Sequence, residues 1–197
     1  MTLLKIARLG EPVLRRAARA VTAEELASSS LQQLLDDMLE TMRDASGAGL
    51  AAPQVYRSLQ LVVMEVGDNP RYPGVASLPL TFLVNPVVTS LVGPEPLTDE
   101  HAISVYEGCL SVPGLRGRVR RPRRVRVRAL GRDASPVDFE LEGFLAAVVQ
   151  HEVDHLHGSL FIDRALPGTL AFQAEYERHV PPEQRVVDGK RPPPAFP

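Results

Sequence analysis

Cysteine is almost missing from this chain of 197 residues, which has only Cys109. One thiol cannot close an internal disulfide, so the sequence fits a reducing compartment and a cytoplasmic protein is expected. Charge of one sign is also lacking. Lys and Arg number 22 against 24 Asp and Glu, a net charge of -2 that gives no global drive toward nucleic acid or membrane. No apolar run approaches the roughly 20 residues needed to span a bilayer. The N-terminal Thr2-Leu3-Leu4-Lys5-Ile6 has no long apolar core or small-residue cleavage site, and Glu11 comes too early for a transit peptide. What remains is ordinary: 44% hydrophobic and 23% charged residues, enough chain to bury a core as one domain.

Histidine is scarce too, with five in all, yet two stand four residues apart in Gln150-His151-Glu152-Val153-Asp154-His155. On a helix they lie one above the other and can share a metal ion, with a carboxylate beside the first. The preceding apolar run, Gly143 to Val149, predicts a buried helix leading into the motif, and Gly158 marks its end.

Elsewhere, Leu31, Leu34, Leu35, Met38, Leu39 and Met42 predict an amphipathic helix within Ala23 to Asp44. The segment Ser46-Gly47-Ala48-Gly49 ends it, and a loop through Leu50 to Gln54 follows. Leu59 to Val66 and Leu80 to Val88 predict strands separated by an irregular connection from Gly67 to Pro79. Val119 to Ala129 alternates valine with arginine, a half-exposed strand whose arginines face solvent, with Pro136 to Leu141 as its partner. A helix is expected from Thr169 to Arg178 and a flexible proline-rich tail over 181–197. Segregated helices and strands predict an α+β fold for 1–180, with small antiparallel or mixed sheets around the motif helix.

Two histidines rarely complete a catalytic site, which usually has three protein ligands. One metalloprotease pattern puts a third histidine where this chain has Phe161. Glu175, downstream, would serve in a zinc endopeptidase, and Cys109, within Glu107-Gly108-Cys109-Leu110-Ser111, offers a thiolate.

Three blocks together resemble the peptide deformylase family: Gly47-Ala48-Gly49-Leu50-Ala51-Ala52-Pro53-Gln54, Glu107-Gly108-Cys109-Leu110-Ser111 and Gln150-His151-Glu152-Val153-Asp154-His155-Leu156. The resemblance implies removal of the N-formyl group from the initiator methionine of nascent peptides, releasing formate. It implies Cys109, His151 and His155 as metal ligands, with Fe(II) the native ion and zinc, nickel or cobalt able to replace it. Glu152 is then the general acid/base acting with a metal-bound water, and Gln54 and the backbone N–H of Leu110 are oxyanion donors. Gly49 contacts substrate, and Arg116 lies near the peptide groove. Ala48, Phe144, Ala147 and Val148 are candidates for the methionine pocket. The substrates imply work at the ribosome, without a direct nucleic-acid or membrane role.

Asp154 is a candidate to orient a ligand histidine through a salt link. His101, His157 and His179 read as surface or structural residues. Ala48 replaces a larger aliphatic residue common in the family, and Tyr56-Arg57 stands where a glycine is common. An RNA-binding module built on Arg116 to Arg128 is the remaining reading, weakened by the lack of interleaved aromatics.

Overall fold

The computed structural model describes residues 2–67, 76–93 and 96–192. In chain order the elements are α1 (Ala23–Ala27), α2 (Ser29–Asp44), β1 (Gly49–Ala51), β2 (Leu61–Val66), β3 (Leu78–Ser90), β4 (Ala102–Cys109), β5 (Val112–Pro122), β6 (Arg124–Leu130) and β7 (Pro136–Glu142). There follow α3 (Gly143–Leu156), α4 (Phe161–Arg164), β8 (Ala171–Phe172), α5 (Gln173–His179), α6 (Pro182–Arg185) and β9 (Val186–Asp188). The strands form two antiparallel sheets, in the orders β1-β2-β3-β6-β7 and β8-β5-β4-β9.

Helix α3 touches strands of both sheets. Leu145, Ala146, Val149, Val153 and Leu156 pack with Val62, Leu83, Val125 and Val127 of the first sheet, while Ala147 meets Ile103 and Val105 of the second. Each fully buried aliphatic side chain stabilises by about 1.5–3 kcal/mol, which fixes the motif helix between the sheets. Its end is fixed by backbone. Gly158, at φ +74°, donates to the His155 carbonyl at 3.2 Å and Ser159 to the Asp154 carbonyl at 3.0 Å, a Schellman cap. A Cβ at Gly158 would lie 2.8 Å from the Arg15 carbonyl carbon, so this position admits no side chain.

The α+β class is as expected, but several boundaries differ. The helix expected over Ala23 to Asp44 is broken at Ser28, whose extended backbone (ψ 142°) ends α1 and whose hydroxyl accepts from Leu31 N–H to open α2. The strand expected over Val119 to Ala129 is two strands in different sheets. Pro122, with no N–H to donate, ends β5, and β6 begins at Arg124 and pairs with β7 as expected.

The arginines divide at the same point. Arg124, Arg126 and Arg128 pair with Glu140 and Asp138 on the exposed face, whereas Arg118 and Arg121 are buried. The helix expected from Thr169 starts at Gln173, because Ala171 and Phe172 pair with β5. Part of the expected tail is folded: Pro182–Arg185 is helical and Val186–Asp188 joins the edge of β4. Residues 193–197 and most of the expected irregular connection lie outside the described residues.

Candidate active site

Three side chains from two elements converge. Cys109 ends β4, and His151 and His155 lie one turn apart on α3. Their ligand atoms all fall within 4.8 Å of one another, with Cys109 Sγ 3.3 Å from His155 Nε2. One thiolate and two imidazoles suit a divalent transition metal and leave a coordination position open, so the residues fit a catalytic metal.

His151 is held by a chain of hydrogen bonds. Its Nδ1 lies 2.8 Å from Glu107 Oε2, which leaves Nε2 for the cluster. Arg121 grips Glu107 with two hydrogen bonds, 2.6 and 2.9 Å, and donates to Asp154 at 2.8 Å. Arg164 then closes on Asp154 with bonds of 2.7 and 2.8 Å. Burial pushes the Glu107 carboxyl up, but the charge and hydrogen bonds of Arg121, with His151 added, overcome it and hold the pKa at about 2.

Glu152, the next residue along, is treated oppositely. Its Oε2 is buried and has no hydrogen-bond partner among the described residues. Burial dominates and pushes its pKa up to about 7, with His151 and Arg121 working against the rise and Glu107 adding to it. Gly49 backs directly onto it: a Cβ there would lie 2.6 Å from Glu152 Cγ and Oε1.

Gln54 faces the cluster from a 3-10 turn, Ala52–Val55. Its Oε1 accepts from Ala51 N–H at 2.8 Å, so its amide nitrogen turns toward Ser111 Oγ at 3.3 Å and Cys109 Sγ at 3.5 Å. A cavity of about 420 Å³ opens over these groups; Gly49, Gln54, Cys109, His151 and Glu152 lie on its wall, with Leu110 at the turn from β4 to β5. Ala48, Phe144, Ala147 and Val148 supply an apolar side, and Arg116 lies at the same cavity.

Comparison with known proteins gives this geometry a lineage. The polypeptide deformylase family model matches residues 3–169. The chain belongs to the peptide deformylase family. It is 42% identical over 167 residues to the peptide deformylase of Leptospira biflexa, covering 83% of this chain and 88% of that one. It is 46% identical over 159 residues to peptide deformylase 1 of Bordetella pertussis, covering 81% and 85%. Among solved structures, the Met-Ala-Ser-bound class I type b peptide deformylase of Acinetobacter baumannii superposes with a TM-score of 0.75 at 40% identity, covering 83% and 98%. The Thermotoga maritima peptide deformylase gives 0.71 at 35%, covering 85% and 100%.

Peptide deformylases are metal-dependent enzymes that remove the formyl group from N-formylmethionyl peptides. In this deformylase the endopeptidase arrangement has no counterpart, since Glu175 pairs on the surface with Arg178 and His179. Phe161, where a third histidine would stand, stacks on His151 with ring centroids 6.3 Å apart. His101 and His179 sit beside Glu100 and Glu175, and His157 is exposed.

Sequence reasoning gave Glu107 no role, although it opens the cysteine block, and it counted Arg121 among solvated arginines. Asp154 reaches its histidine through Arg121 and Glu107 rather than by a direct link.

Proposed function

We propose that Glu152 carries the proton during formyl removal, while Cys109, His151 and His155 hold one divalent ion, Fe(II) in the cell, with zinc, nickel or cobalt as possible substitutes. The protein is a peptide deformylase, an enzyme that removes the N-formyl group from N-formylmethionyl peptides. The observation that carries the role of Glu152 is its unpartnered carboxyl oxygen on the cavity wall beside the ligand cluster. A carboxyl whose pKa lies at about 7 can both take and return a proton near neutrality.

When bound, the ion supplies Lewis acidity, polarising a carbonyl and lowering the pKa of water to about 7. Glu152 takes a proton from the attacking water and returns it to the departing amine nitrogen, so one carboxyl serves both halves of the hydrolysis. The Gln54 amide nitrogen, aimed by the Ala51 bond, and the backbone N–H of Leu110 receive the oxyanion as the formyl carbon becomes tetrahedral. Donors of this kind each contribute about 10²- to 10³-fold in rate. Gly49 meets the peptide backbone, Arg116 lies by the groove, and Ala48, Phe144, Ala147 and Val148 take the methionine side chain.

The substrates place the enzyme in the cytoplasm and near the ribosome, with no direct contact to nucleic acid or membrane invoked. Among the described residues no helix is long and apolar enough to cross a membrane. The test is formate release from formyl-Met-Ala-Ser by anaerobically purified, iron-loaded protein beside its Glu152→Ala variant. Release by the wild type and its loss in the variant are expected; equal release by both removes Glu152 from the mechanism.

A further inference from the structure

The family match ends at residue 169, yet the chain continues into the site. Residues Ala171 and Phe172 pair with Arg116 and Leu115 of β5, and this brings Gln173, the first residue of α5, to the cavity wall. There the Gln173 Oε1 accepts from Arg116 Nε at 2.6 Å. Below it, Arg116 Cζ stands 5.8 Å from the centre of the Tyr176 ring, and Arg185 Cζ lies 5.1 Å from the same ring. Above, the guanidinium lies across Gly108, where a Cβ would come within 2.1 Å of Nη1.

Arg116 is thus held from three sides by a ring, an amide and a glycine. Only its Nε is hydrogen-bonded among the described residues. Nη1 and Nη2 are left as two donors at the cavity wall beside the glycine that precedes Cys109. An arginine loses less entropy on binding when its planar fork is already fixed.

We infer that Gln173 is a positioning residue for substrate binding: it fixes Arg116 so that its two terminal nitrogens donate to backbone carbonyls of the peptide beyond the methionine. The inference rests on the deformylase reading and deepens it, because it assigns part of the peptide-binding surface to a segment beyond the family match. Glu177 completes the arrangement by accepting from the Gln173 amide nitrogen, which keeps the Gln173 oxygen turned toward Arg116.

The test uses the full-length, iron-loaded protein and formyl-Met-Ala-Ala amide, whose blocked end has no carboxylate or hydroxyl and offers only backbone carbonyls as acceptors. Gln173→Ala is expected to raise KM about tenfold with kcat changed less than twofold, and to weaken calorimetric binding of Met-Ala-Ala amide by the same factor. In an Arg116→Ala background the same change has no further effect, because the two act as one unit. The double exchange Gln173→Glu with Glu177→Gln keeps an acceptor on Arg116 and restores KM. A wild-type KM in Gln173→Ala, or losses that add in full with Arg116→Ala, overturns the inference alone. Absence of formate release from the wild type overturns the deformylase reading, and the inference falls with it.

Discussion

Glu107 and Glu152 are both buried carboxylates at one cavity, each within reach of His151, and the protein treats them in opposite ways. Glu107 has an arginine on both oxygens and is held at about 2; Glu152 has an oxygen with no partner and is raised to about 7. One is fixed as an anion that orients a ligand and the other is kept ready to change its charge. Arg121 makes the difference: it meets Glu107 directly and acts on Glu152 only through its field. Two carboxylates with separated pKa values divide the work of holding and moving a proton.

The comparison breaks most sharply at Glu152. Glu152→Gln keeps the shape but cannot carry a proton, and kcat is expected to fall about 10²- to 10⁴-fold. Metal content by elemental analysis should stay at the wild-type level; loss of metal would place Glu152 among the holding residues instead.

Next comes Arg121→Met, which leaves Glu107 a buried anion without its arginine, while Asp154 keeps Arg164. Breaking a buried pair in this way costs about 3–5 kcal/mol, to be read from urea unfolding. A cost under about 1 kcal/mol, typical of an exposed pair, would show the pair to be solvated.

A third expectation concerns pH in the metal-stripped protein. Raising the Glu152 pKa from its ordinary 4.5 to about 7 favours the folded state below pH 4.5, and that contribution is lost as pH rises through 7. At pH 8, Glu152→Gln should therefore be more stable than the wild type by ~3 kcal/mol, at about 1.36 kcal/mol per pKa unit. The gap should close at pH 4; thermal melts that remain separated there by the same amount would assign it to packing.

The smallest effect sharpens the role of Glu107. Glu107→Gln can still accept from His151 but loses its charge, and metal affinity by chelator competition should fall about 10- to 100-fold. An unchanged affinity would make Glu107 a partner of Arg121 only.

The pairing of His151 with His155 was readable because metal chemistry demands particular residue types at fixed spacings, while Cys109 joined them through the resemblance to the family. The α+β class followed from the separation of helical and strand patterns. Arg121 was not readable, since its two carboxylate partners lie 14 and 33 residues away. The valine–arginine alternation around it looks the same on a solvated strand. The break at Pro122 had a local signal, the missing N–H, that the alternation masked. Gly49 was singled out for a close approach of the peptide backbone, whereas the Cβ it lacks would first strike Glu152. Tyr56 occupies left-handed backbone at φ +61°, a conformation that glycine adopts at less cost. Its hydroxyl bond to Glu11, 2.9 Å, helps hold that conformation.

The late strand β9 has a consequence for how the molecule is made. It hydrogen-bonds along Ile103 to Val105 of β4, the strand that delivers Cys109. While residues 186–188 are still unsynthesised, the outer edge of β4 has no neighbour and its backbone donors face water. Vectorial synthesis thus presents both histidines and the cysteine before the sheet that carries the cysteine is closed. An enzyme that unblocks the amino end of new chains completes its own second sheet only after residue 188 has emerged.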